Sequence, residues 1–170
     1  MNYIDFNLPV MNYGITLSEI PNRIAVFFEI GDCILNCENC HSPNLSHEKY
    51  DGTTMNVRKM IEIIKHYYSL GADAIVFMGG LRSNCVSPSD FIKCVLSPLY
   101  EKGYDIGMYD GSPGFNNFNI TSMHFLKWIK IGNYIETLGP LTEPNTNQFF
   151  LEKNDGWEDK TYEYFKKEGN

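Results

Sequence analysis

Apolar residues along the chain follow two rhythms. Continuous apolar stretches occur at Arg23-Ile-Ala-Val-Phe-Phe-Glu-Ile30, Ala72-Asp-Ala-Ile-Val-Phe-Met78, Gly103-Tyr-Asp-Ile-Gly-Met-Tyr109 and Trp128-Ile-Lys-Ile131. Runs of this length, rich in β-branched and aromatic residues, read as buried strands. Between the first two, Val57, Met60, Ile61, Ile64, Tyr67 and Tyr68 recur at helical spacing. That spacing predicts a helix over Met55 to Leu70, started by Thr53-Thr54 and stopped by Gly71. A second helix is predicted from Ser87-Pro88 to Tyr100, with Ser87 as cap and a kink at the interior Pro98. A short helix, capped by Thr121, is predicted from there to Leu126. Strand, helix, strand in this order predicts parallel βαβ units with right-handed crossovers.

The ends are less regular. Residues 1–22 read as an amino-terminal arm with a short strand at Met1 to Phe6, and Ile15 to Pro21 leads into the first core strand. Residues 152–170 form a charged and aromatic tail containing Trp157, Tyr162, Tyr164 and Phe165. It reads as a short amphipathic helix or a frayed end.

A length of 170 residues and 43% hydrophobic content suit a single domain, residues 1–151 plus that tail. The net charge of −7 argues against nucleic acid or an anionic membrane as partner. No apolar run approaches the roughly 20 residues that span a bilayer, and no signal peptide is evident. The expected location is therefore the cytoplasm.

Candidate chemistry gathers immediately after the first predicted core strand. Gly31-Asp32 ends that strand, and Cys33, Cys37 and Cys40 follow, spaced Cys-x-x-x-Cys-x-x-Cys, with His41 next. Three thiolates on one loop can hold three irons of a cubane iron–sulfur cluster and leave the fourth without a protein ligand. An open metal position is a place for chemistry. One unit later, the second strand ends in Gly79-Gly80, where the backbone can approach a ligand closely. Zinc is an alternative, since it accepts three Cys and one His. Adjacent Cys-His ligands are sterically awkward for it, however, and no second Cys pair appears. Cys85 and Cys94 read as ordinary thiols.

The cysteine spacing resembles that of the radical S-adenosylmethionine (SAM) enzymes. The likeness implies that Cys33, Cys37 and Cys40 ligate a [4Fe-4S] cluster whose open iron chelates SAM. It implies reductive cleavage of SAM to methionine and a 5′-deoxyadenosyl radical. Gly79 and Gly80 match a Gly-Gly-acid segment that holds the SAM amino group, with Leu81 in place of the acid. His41, Tyr109 and Lys130 are further candidates for the SAM wall. The carboxyl-terminal half is similar to activating enzymes of anaerobic (class III) ribonucleotide reductase, through Lys130-Ile-Gly132-Asn-Tyr134-Ile135-Glu136, Leu138-Gly139-Pro140-Leu141 and Thr146-Asn147-Gln148. Departures are Asn133 where Pro is usual and Phe149 where Arg is usual. That resemblance, over about residues 1–150, implies an α/β fold, a partial (β/α) barrel with a mainly parallel sheet. A closed barrel needs about 200 residues or more. It also implies two partners, the glycyl radical loop of the reductase large subunit and a flavodoxin or ferredoxin-like electron donor. The competing readings are a radical SAM enzyme acting on a small molecule or peptide, and a non-enzymatic zinc or iron–sulfur module.

Overall fold

The computed structural model describes residues 2–40, 42–111 and 123–166. Two short strands, β1 (Asn7–Leu8) and β4 (Met55–Asn56), make a small antiparallel ribbon. The main sheet has seven strands: β2 (Val10–Thr16), β3 (Ala25–Ile30), β5 (Ala74–Met78), β6 (Ile106–Asp110), β7 (Trp128–Ile131), β8 (Phe149–Lys153) and β9 (Trp157–Asp159), in that spatial order. The four central strands, β3, β5, β6 and β7, run parallel. The other three are antiparallel additions at the edges.

The central strands neighbour one another in chain order. Right-handed crossovers between strands added in one direction place their helices on a single face. That face is the larger core. Val26, Phe28 and Ile30 of β3, Ile75 and Phe77 of β5, and Ile106 and Met108 of β6 bury there against the helices. Helix α1 (Val57–Ser69) meets it with Val57, Met60, Ile61 and Ile64. These positions lie at i, i+3, i+4 and i+7 and so form one stripe. The cap of α1 is Asn56, whose side chain accepts the Lys59 N–H at 2.9 Å, rather than Thr53-Thr54. The residues before it are drawn into the ribbon with β1.

The second helical stretch comprises α2 (Pro88–Phe91), a π-helical turn (Ile92–Leu96) and α3 (Ser97–Glu101). Ser87 caps it, accepting the Asp90 N–H at 3.1 Å. The Ser97 N–H reaches back five residues to the Ile92 carbonyl. Pro98 has no N–H to give, and the chain meets this by widening one turn just ahead of it.

Three further sequence expectations change. Tyr3–Asp5 is a 3₁₀ turn, not a strand. The arm instead holds β2, so Arg23–Ile30 provides an inner strand of the sheet rather than its first. The segment beyond residue 151 continues the sheet through β8 and β9, then forms α4 (Thr161–Phe165). The proposed cap Thr121 lies outside the described residues. Among the described residues, no helix is long and apolar enough to cross a membrane.

Candidate functional site

The sheet face opposite the helices changes character along the strands. At the amino-terminal ends it is packed by Ala25, Ala74, Val76 and Trp128 around Ile20, with Phe150 of the antiparallel strand β8 completing the cluster beside Lys130. Gly107 belongs to this floor. A Cβ there would lie 2.7 Å from Ile20 Cδ1, so a side chain at this position would push the Ile20 tip from its seat. At the carboxyl-terminal ends, register aligns Glu29, Met78, Tyr109 and Lys130 in one row across four strands. A cavity of about 840 Å³ opens above Met78, Tyr109 and Lys130 of this row. Crevices outside the carboxyl ends of parallel strands are where α/β sheets bind ligands.

Cys33, Cys37 and Cys40 all line this cavity. Their loop is built from three similar reversals. Asp32, Asn36 and Asn39 adopt left-handed backbone conformations, with φ of 61°, 44° and 53°. Each immediately precedes one of the cysteines. Non-glycine residues enter this region rarely, and Asp and Asn are the types that tolerate it. The spacing of the thiols is thus matched by a spacing of turn formers. Cys33 is fixed by main-chain bonds. Its N–H donates to the Leu45 carbonyl at 2.8 Å, and its carbonyl accepts the His47 N–H at 2.9 Å. The Cys40 sulfur accepts the Ser42 N–H at 3.4 Å.

Burial pushes the Cys33 and Cys37 thiols up from their ordinary pKa, and charge on the neighbouring cysteines adds to the rise. Thiols that oppose one another's ionisation share a neighbourhood, and a cation brought among them would reverse the effect. Among the described residues, however, no group of three or more His, Cys, Asp or Glu side chains is gathered closely enough to hold a metal ion. The donor set suits a thiolate-bound cluster in number, type and loop, and the thiols would have to draw together around it.

The remaining candidates divide. Gly79 lines the cavity with φ of 89°, and a Cβ there would sit 2.8 Å from the Ile30 carbonyl oxygen. It is glycine because β3 and β5 end in contact. Gly80 does not line the cavity. It is buried under the Phe91 ring, 2.9 Å from where its Cβ would stand. Leu81 likewise turns into the helix-side core. Tyr109 lines the cavity wall, its hydroxyl donating to the Glu19 carbonyl at 2.6 Å. Lys130 lies with its ammonium 5.0 Å from the centre of the Tyr109 ring. Burial lowers the Lys130 pKa, against the opposing pull of Glu19 and Cys40. His41 lies outside the described residues.

Three features were not foreseen. Arg82 Nε donates to the buried Asp110 carboxylate at 3.1 Å, and both residues line the cavity. Nothing local in sequence announces a pairing between two strand-end loops. Gln148 is 3% exposed, lines the cavity, and donates from Nε2 to the Gly132 carbonyl at 3.1 Å. Asn147 donates to the Asn133 carbonyl at 2.9 Å, and Thr146 to that of Gly139 at 3.2 Å. The Thr-Asn-Gln segment therefore docks on the Gly132-Asn133 and Gly139 segments. A Cβ on Gly132 would fall 2.8 Å from the Asn147 carbonyl oxygen and prevent it. Third, Asp32 is buried and bonded to His47 Nδ1. Burial would raise its pKa, but the Cys85 thiol and the His47 ring outweigh that and hold it below the usual carboxylate range.

No family model, curated protein or solved structure matches the chain.

Proposed function

We propose that the chain is a radical SAM activase that installs a glycyl radical on an anaerobic ribonucleotide reductase. One observation carries the reading most. Three cysteines, each set by a left-handed Asp or Asn, line one cavity with Gly79, Tyr109 and Lys130 at the carboxyl ends of parallel strands. The sequence resemblance supplies the chemistry, and the geometry supports it. Sequential parallel strands with their helices on one face also support a partial (β/α) barrel, with the cavity on the other face.

In this reading Cys33, Cys37 and Cys40 hold a [4Fe-4S] cluster. When bound, the cluster and SAM supply one-electron cleavage of the sulfonium, ending in hydrogen abstraction from a glycine of the partner. The chain's own part is binding and exclusion. Gly79 lets the ligand approach the backbone. The poorly solvated Lys130 ammonium offers its charge to a carboxylate. Tyr109 and the apolar floor keep water from beneath the reacting atoms. The electron comes from a flavodoxin or ferredoxin-like donor, and the setting is the cytoplasm.

Anaerobic reconstitution tests this. The expected result is the absorption of a [4Fe-4S] protein, SAM-dependent release of 5′-deoxyadenosine, and a glycyl radical EPR signal on a co-expressed reductase. Iron-free, zinc-loaded protein after anaerobic purification overturns the reading. Release of 5′-deoxyadenosine without complex or radical on the reductase moves it to a small-molecule or peptide substrate.

A further inference from the structure

We propose that Asp32 is the positioning residue of the thiol loop, its buried carboxylate making Cys33 the fixed ligand onto which Cys37 and Cys40 close. The inference rests on the reading of these three cysteines as one ligand set.

Two segments grip Cys33 from either side. From one, Leu45 accepts the Cys33 N–H and His47 donates to the Cys33 carbonyl. From the other, Arg82 accepts the Ile34 N–H at 3.0 Å, Asn84 donates to the Asp32 carbonyl at 2.9 Å, and Ser83 bridges to Cys33. The Asp32 side chain, 1% exposed, stands between the two. Its Oδ1 bonds to the His47 ring of the first segment. A buried carboxylate is tolerated only where such a partner compensates it. Through His47 it ties the first segment to the loop, while the Asn84 N–H on its carbonyl ties the second.

Among the described residues the other two cysteines are held by fewer ties: from outside the loop, the Tyr134 backbone reaches the Cys37 thiol. The Cys37 carbonyl accepts the Cys40 N–H at 3.3 Å, and the Cys40 sulfur accepts from Ser42, both within the loop. The side-chain tie from this end is the exposed pair of Asn39 and Glu136 at 2.6 Å. Exposed pairs hold weakly. The thiols are not gathered in the described structure, so closing them needs movement. The contacts assign that movement to Cys37 and Cys40.

The test begins with the chain free of metal. Timed alkylation by iodoacetamide, followed by peptide mass spectrometry, ranks the thiols. Cys33 is expected to react about tenfold more slowly than Cys40, since main-chain bonds on both sides hold the half-buried thiol against the cavity wall and limit the local opening that would expose it fully. Asp32→Ala removes that gap. Asp32→Asn, which keeps an acceptor and tolerates the left-handed backbone, restores most of it. His47→Ala, at an exposed ring, narrows the gap and serves if Asp32→Ala does not fold; circular dichroism reports folding in each. Reconstitution with ferrous iron and sulfide then reads the consequence. Asp32→Ala lowers iron affinity by about tenfold to a hundredfold, the usual effect of losing a partner that orients a ligand, and Asp32→Asn recovers it in part. The proposal is overturned if Cys33 already reacts as fast as Cys40, or if folded variants leave their ratio unchanged. If the unaltered chain takes up no iron, the functional reading fails, while the alkylation ranking still decides the anchor.

Discussion

The two faces of the same four parallel strands are built on different terms. Toward the helices, Val26, Phe28, Ile30, Ile75, Phe77, Met108 and Ile129 present one apolar surface from end to end. Toward the cavity, the strands begin with small and aromatic residues and finish with Met78, Tyr109 and Lys130. Stability is concentrated on the first face. The second is stabilised at its floor and left polar at its rim. A single alternation along each strand thus separates what holds the molecule together from what it can bind.

Substitutions can break this contrast. The largest effect is expected on the helix side. Phe77, fully buried, packs 5.7 Å from Phe28 and 5.3 Å from Phe91 between ring centres. Phe77→Ala should cost about 3–5 kcal/mol, read as a lower urea midpoint. An unchanged midpoint would erase the distinction between the faces. At the rim, Asp110→Ala leaves Arg82 without this acceptor and should cost about 1–3 kcal/mol. In the loop, Asn36→Ala and Asn39→Ala each force alanine into a left-handed conformation at about 1–2 kcal/mol, whereas glycine at either position is tolerated. Urea titration of the Ala and Gly pairs checks the sign. Lys130→Met should leave stability nearly unchanged, because it removes a buried charge along with its contact to Tyr109. Under the proposed function it should nevertheless weaken SAM binding in calorimetry. A large loss of stability would place Lys130 with the core instead.

The smallest effect concerns pH. Burial and a bond to Glu152 push the Tyr164 hydroxyl up to about 12. A tyrosine in the unfolded chain titrates at about 10. Between those values the folded protein retains a proton that the unfolded chain has lost. Stability therefore falls as pH rises through that window. Tyr164→Phe should flatten the slope of the urea midpoint against pH.

Much of this was legible in the sequence where signals are local. The inner strands stand out as apolar runs, α1 by its period, and the start of α2 by Ser87-Pro88. The edges were not legible. Val10–Thr16 contains Asn12 and Gly14, and Phe149–Lys153 ends in charge, because each strand is only partly buried. Such strands are defined by what they pair with. The same division applies to the site. The thiols announce themselves by spacing, while Asp32 with His47 and Arg82 with Asp110 meet only after the loops are folded onto one another. Gly79 and Gly80 look equivalent in sequence, yet one borders the cavity and the other underlies Phe91.

The reversal placed ahead of every cysteine has a consequence for engineering. Asp32-Cys33, Asn36-Cys37 and Asn39-Cys40 act as three repeats of one dipeptide, each carrying its own bend. Such a run is portable: spliced after the last residue of a strand in an unrelated parallel sheet, it would reproduce its shape from its own letters. Its first unit would need a host histidine within reach, because Asp32 borrows its support from His47.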